Sequence, residues 1–134
     1  MYDVTATGEL LIDFTRNGLS EQNNRIYEAN PGGAPCNVLA MLGKLGYKTA
    51  FIGKVGDDEF GKLLKNTISE QKIDAAGLIL DPNAKTTLAF VDNDETGDRS
   101  FSFYRKPGAD MMLREDEVNY ELIDNCRSTL VLCL

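Results

Sequence analysis

The sequence predicts an α/β fold with a central, mostly parallel sheet flanked by helices and a smaller β-sheet beside it. Two observations carry this. β-prone runs and amphipathic helical stretches alternate as strand, helix, strand, helix, strand up to Leu80, an order that implies right-handed crossovers between parallel strands. Beyond Leu80 the alternation breaks, because "TTLAFVDN" and "RSFSFYR" flank the turn-like "DETGD" and read as a hairpin.

Residues 4–11 are β-prone and predict the first strand, with residues 12–15 extending or bending it. Residues 16–24, "RNGLSEQNN", are polar and contain Asn-Gly, which predicts a turn-rich excursion. "RIYEA", residues 25–29, predicts a short returning strand. From Cys36 onward Val38, Leu39, Met41, Leu42 and Leu45 recur at helical spacing. Pro35 suits a first helical position and Gly46 a helix stop. Residues 48–55 predict a second strand. In "DDEFGKLLKNTISEQK", Phe60, Leu63, Leu64, Thr67 and Ile68 share one helical face, and Asp57 is the expected N-cap. Residues 77–80 predict a third strand. The hairpin pairs residues 86–92 with 99–105 and is expected to form a small sheet with residues 12–13 and 25–29. Residues 114–126 predict a third helix or a pair of turns. Residues 129–134, "TLVLCL", predict a strand buried on both faces.

Composition narrows the function. The 134 residues are 43% apolar and 26% charged, as in a globular domain. The net charge of −7 argues against a phosphate-neutralising face for nucleic acid and against a polybasic membrane anchor. No apolar run approaches the roughly 18 to 20 residues of a membrane span. The early Asp3 and the lack of a basic start argue against a secretory signal. Cys36, Cys126 and Cys133 lack metal-type or redox-type spacing, which predicts reduced thiols in a cytoplasm. With no histidine, Ser-His and Cys-His nucleophile pairs and histidine metal sites are excluded, and no metal site is predicted.

"NPGGAPCNVLAMLGKLG", residues 30–46, has the look of a phosphate loop. It lacks the Gly-Lys-Ser/Thr ending of one and the G-x-G-x-x-G of a dinucleotide fingerprint. It is either a tight turn opening a helix or a place where Gly32 and Gly33 let a ligand approach the backbone, with Asn37 donating and accepting. In "GELLIDF", Asp13 lies in an apolar strand context. It is either on the exposed face of an alternating strand or points into a polar pocket, where a carboxylate accepts strong hydrogen bonds from hydroxyls. The acids of "GKVGDDEFG" read as helix capping rather than a metal site or acid–base pair. "RSFSFYRKPGAD" is either an ordinary hairpin face or a binding lid.

Taken together, "GELLIDF", "NPGGAPCNVLAMLGKLG", "FIGKVGDDEFGKLL", "TTLAFV" and "FYRKPGADMML" resemble the ribokinase/PfkB-type carbohydrate kinase family, and within it the bacterial fructokinases. The resemblance runs in order over essentially the whole chain. It implies a ribokinase-like three-layer fold, present in part, and a β-sheet lid over a sugar site built from about residues 12–29 and 86–105. It implies that Asp13, Gly32, Gly33 and Asn37 hold sugar hydroxyls and that Arg99 or Arg105 reaches the sugar. It implies phosphoryl transfer from ATP, with Mg²⁺, to a primary hydroxyl of a sugar, fructose favoured, and pairing of lids across a homodimer. Leu11 stands where ribokinases carry an asparagine, which leans away from ribose. The family's catalytic aspartate lies in a Gly-Ala-Gly-Asp motif that this sequence does not contain. The expectation is therefore an N-terminal part of a carbohydrate kinase, residues 1–134, with the sugar-binding half present and the C-terminal ATP half absent. Such a chain is expected to hold no ATP or Mg²⁺ and to be inactive alone. A non-catalytic sugar-binding or dimerising module is the alternative. The apolar run at residues 130–134 agrees with a missing half, since burying it is worth on the order of 7–15 kcal/mol, as much as a whole domain's stability.

Overall fold

The computed structural model describes residues 1–132. Two four-stranded sheets form the fold. The first contains β1 (Tyr2–Gly8), β4 (Thr49–Gly56), β5 (Ile73–Asp81) and β8 (Cys126–Leu132) in the order β5-β4-β1-β8. Every pairing in it is parallel. The second contains β2 (Leu11–Leu19), β3 (Arg25–Gly32), β6 (Leu88–Asn93) and β7 (Arg99–Tyr104) in the order β3-β2-β6-β7.

Strand order dictates where the helices go. From β1 to β4 to β5 the chain steps in one direction, so right-handed crossovers place α1 (Ala34–Lys44) and α2 (Glu59–Glu70) on one face. Leu39 of α1 and Leu64 and Ile68 of α2 meet Ala6, Phe51 and Val55 of the sheet there, all fully or almost fully buried. The return to β8, on the other side of β1, carries its connection to the opposite face. Leu122 of the single-turn α3 (Glu121–Asp124) packs on Ala50 and Ile52, and its carbonyl accepts the Thr5 hydroxyl at 2.7 Å. β4 is sandwiched between these layers, and all eight of its residues are buried.

Three expectations need correction. The first predicted strand is two strands, because β1 ends at Gly8 and Leu11 begins the second sheet. Leu10 between them packs into the helix side of the core. The predicted excursion at residues 16–24 is mostly strand: β2 runs on to Leu19 through a register shift, and only Ser20 to Asn24 turn. That stretch is solvent-facing, so pairing with β3 holds it extended without an apolar pattern. Of the two forms expected for residues 114–126, the pair of turns is the one that forms, as the 3₁₀ turn Glu115–Glu117 and the one-turn α3, with a further 3₁₀ turn, Ala109–Met111, ahead of them. Glu117, which ends the first turn of that pair, meets the ammonium of the buried Lys54 at 2.6 Å. Finally, β8 is not buried on both faces. Among the described residues β1 is its only strand neighbour, and Val131 is 66% exposed. Cys133 and Leu134 of that predicted strand lie outside the described residues.

Candidate functional site

The second sheet has two unlike faces, set by register. Antiparallel β2–β3, parallel β2–β6 and antiparallel β6–β7 align Asn30, Asp13, Ala89 and Phe103 in one cross-strand row. Glu28, Thr15, Val91 and Phe101 form the next row on the same face. The opposite face carries Phe14, Tyr27, Phe90 and Tyr104 in mutual contact. Phe14 also meets Phe60 of α2 edge-on at 5.5 Å, which seats the sheet against the helical layer. The polar face is left open as a concavity of about 710 Å³ lined by residues that include Asp13, Thr15, Asn30, Arg99 and Phe101. Asn30 donates to the Thr15 hydroxyl at 2.9 Å, which fixes the floor beside Asp13.

β3 runs directly from that floor into α1. Gly33 is the N-cap at φ +128°, a conformation that disfavours side chains, and a Cβ there would also strike the Glu9 carbonyl at 2.5 Å. A Cβ on Gly32 would run into the Asp13 carboxylate. The carboxylate thus rests against bare backbone. Asn37 sits one turn into α1, its amide on the Gly33 carbonyl at 3.1 Å and its side chain exposed. It shares a small cleft of about 30 Å³ with Gly32. Burial raises the Asp13 carboxyl above its ordinary value.

The structure therefore brings together Asp13, Gly32 and Gly33, with Asn37 adjacent and Arg99 on the same concavity as Asp13. Arg105 is placed differently. Its guanidinium lies 4.5 Å above the Phe103 ring, with Nη1 3.8 Å from Glu9 Oε2 and 3.7 Å from Asp110 Oδ2. Thr87 donates to the other Asp110 oxygen at 2.5 Å. Burial pushes Glu9 up, Arg105 pulls it down, and the nearby Asp110 and Asp13 push it up again. Sequence reasoning missed Glu9 and Asp110. No local signal marked them: Glu9 lies in the connection between β1 and β2, and Asp110 in a 3₁₀ turn far along the chain.

The acids of "GKVGDDEFG" are structural, with one reassignment. Asp58, not Asp57, is the N-cap of α2, its Oδ1 accepting the Gly61 amide at 2.8 Å. The same carboxylate takes the Thr86 hydroxyl at 2.7 Å and the Thr86 amide at 2.9 Å. Thr86 in turn accepts the Gly56 amide at 3.0 Å. Asp57 is exposed and pairs loosely with Lys62 at 3.8 Å. One residue thus caps a helix and pins the segment leading into β6.

The position of this cluster in the fold is informative. Strand order reverses at β1, and open α/β sheets bind ligands outside the carboxyl ends of strands at such a reversal. β1 ends at Gly8, directly before Glu9 and beside the Gly32–Gly33 entry to α1. A parallel sheet whose order reverses at β1, joined there to a separate small sheet that carries Asp13 on an open concavity, defines an α/β domain with an accessory β-sheet. Residues 1–133 match the family described as pfkB family carbohydrate kinase, and the chain belongs to that family. It is 45% identical over 126 residues to probable fructokinase-5 of Arabidopsis thaliana, covering 92% of this chain and 39% of that protein. Fructokinase-2 of Zea mays is 44% identical, with 92% of this chain and 38% of that protein covered. Fructokinase from Xylella fastidiosa superposes with a TM-score of 0.89 at 33% identity, over 98% of this chain and 41% of that one. A sugar kinase from Pyrococcus horikoshii, solved in complex with ATP, gives 0.85 at 29% identity, over 96% of this chain and 42% of that one. The chain thus spans about two fifths of the length of the relatives it matches.

Proposed function

We propose that this chain supplies the sugar-holding part of an ATP-dependent sugar kinase with fructose as its favoured substrate. The observation that carries this is the Asp13 carboxylate, lodged against the bare backbone of Gly32 and opening on the same concavity as Arg99. A carboxylate accepts two hydroxyls of a polyol at once, and hydrogen bonds to a charged acceptor are worth about 1.5–3 kcal/mol each. Gly33 and Asn37 extend the grip at the start of α1, and Arg99 borders the far side. The fructokinase relatives in two kingdoms support fructose as the ligand.

ATP with Mg²⁺ supplies the transferring phosphoryl group and neutralises its charge in such a reaction. Phosphates seek free amides at a helix N-terminus; the first turn of α2 is already filled by Asp58, and the uncapped start of α1 at Gly33 is the one this reading gives to the sugar. No transfer step is therefore built on these residues, and the 134-residue chain is expected to bind sugar without phosphorylating it. In this reading the second sheet acts as a lid, and two copies pair through it in the cytoplasm. The exposed Leu19, Ile26, Phe101, Phe103 and Tyr104 of that sheet support the pairing. Among the described residues no helix is long and apolar enough to cross a membrane.

Calorimetric titration with fructose tests the site. Saturable binding is expected, and Asp13→Ala is expected to abolish it with the circular dichroism spectrum unchanged. Equal binding by the variant removes Asp13 from the site. The same exposed aromatic residues favour a second reading, a non-catalytic sugar-binding and dimerising module. The assay that separates the two is fructose- and ATP-dependent ADP release by the complete polypeptide carrying this chain.

A further inference from the structure

The Glu9–Arg105–Asp110 group does more than fix a side chain. We propose that Glu9 and Asp110 form a charge filter that holds Arg105 away from anionic ligands and so selects neutral sugars over sugar acids. The inference rests on the sugar-site reading above and assigns its selectivity.

Three features of the geometry carry it. Arg105 is the one cation of the group, yet it lies within 3.8 Å of a carboxylate oxygen on each side. Both acids are buried, with side chains 10% and 2% exposed, and among the described residues neither oxygen facing Arg105 has a hydrogen-bond partner. Asp110 cannot swing away, because the Thr87 hydroxyl holds its other oxygen. The pair therefore meets Arg105 at ion-pair distance but not in a closed hydrogen-bonded fork. Its effect is on charge rather than on geometry.

Arg105 lies over Phe103, which shares a cross-strand row with Asp13, so Glu9, Asp110 and Asp13 set three carboxylates against one guanidinium along that edge of the sheet. An incoming carboxylate or phosphate meets net negative charge in a partly buried setting, where like-charge contact is heavily penalised. A neutral polyol brings no charge to repel, and its hydroxyls can donate to Asp13. Selectivity then comes from a repulsive element as much as from attractive contacts. Phe103 under the guanidinium keeps Arg105 in place, so loss of one acid leaves a positioned, uncompensated cation. Arg16 and Arg99 lie on the same concavity beyond Asp13, and the filter does not extend to them.

The test uses the chain and its Glu9→Gln and Asp110→Asn variants, titrated calorimetrically with fructose and with gluconate. The unaltered chain is expected to prefer fructose by about tenfold or more, and each variant to gain about tenfold in gluconate affinity. A merely structural pair would weaken both ligands together and leave their ratio unmoved. A second readout is independent of sugar: phenylglyoxal labelling of Arg105, followed by mass spectrometry, is expected to speed up in either variant. Native-like variants with unchanged gluconate affinity and unchanged labelling overturn the proposal. So does an unaltered chain that binds gluconate as tightly as fructose. If fructose fails to bind while the variants still gain gluconate, the fructose reading falls and the filter stands. Fructose binding without any change in the ratio has the opposite meaning.

Discussion

Replacing Asp58 by alanine removes a helix cap and a sheet anchor in one step. The carboxylate accepts three hydrogen bonds, from the Gly61 amide and from the Thr86 amide and hydroxyl. Loss of an N-cap costs about 1 kcal/mol, and each bond to a charged acceptor about 1.5–3 kcal/mol. The three share one group and are not additive, so the expected loss is about 3–5 kcal/mol. Against a typical stability of about 5–15 kcal/mol this is a large fraction. Urea unfolding followed by circular dichroism measures it, and amide exchange should accelerate first at Thr86 to Asn93, where β6 loses its anchor. A loss below about 1 kcal/mol, in the range of an ordinary cap, would refute the claim that Asp58 ties the two sheets together. The pH dependence has a definite sign. Burial alone would raise Asp58, but the Thr86 and Gly61 amides and the Thr86 hydroxyl outweigh it and hold the carboxyl below its ordinary value. Its contribution is then complete above the unfolded value of about 3.9 and disappears as pH falls through the lower folded value. Asp58→Ala should flatten that part of the acid limb.

Gly32→Ala is expected to displace the Asp13 carboxylate and to abolish fructose binding by titration, at a stability cost of about 1–3 kcal/mol. Retained affinity would mean that the carboxylate does not need the bare backbone. Lys54 is 3% exposed between Asp81 at 3.3 Å and Glu117 at 2.6 Å. Lys54→Ala and Lys54→Met both strand two acids, but Ala also empties the space of the buried stem, so it is expected to lower the thermal midpoint more. Burial pushes the Cys36 thiol up to about 12. In labelling with a disulfide reagent at neutral pH, Cys36 is expected to react only after unfolding, whereas the half-buried Cys126 reacts in the native chain.

Legibility in the sequence followed the local strength of the signal. α1 and α2 stood out because Leu39, Leu64 and Ile68 recur at helical spacing and pack on one continuous core. The β6–β7 hairpin stood out because its alternating runs flank a turn, and the Asp94 carboxylate does organise that turn through the Thr96 and Asp98 amides. The break between β1 and β2 was hidden, because residues of one apolar run serve two different sheets. The extended tail of β2 was hidden because Asn17 and Gly18 read as turn residues, while pairing with β3 overrides local preference. In the candidate site, Asp13 was visible as an acid out of place. Glu9 and Asp110 were not, since nothing in the chain announces that residues a hundred positions apart converge on one guanidinium. Arg105 was visible, but its engagement with those acids was not.

The second sheet also has mechanical leverage. Its four crossings into the rest of the chain gather near one corner, by Gly8–Leu11, Gly32–Ala34, Asp81–Leu88 and Tyr104–Ala109. Among the described residues, the far ends of its strands, at Ser20–Asn24 and Asp94–Asp98, make no backbone hydrogen bond to the first sheet. β2 is nine residues long, about 30 Å from pivot to tip. A tilt of about 10° at the corner therefore carries the tip through about 5 Å, roughly the spacing between neighbouring strands. The Phe14–Phe60 edge contact and the Asp58–Thr86 anchor sit close to the pivot, where the same tilt displaces atoms far less. A sheet hung in this way turns a small rearrangement near Asp58 into a wide sweep of its far tip, which carries the concavity on its polar face along, like a door whose latch is mounted beside its hinge.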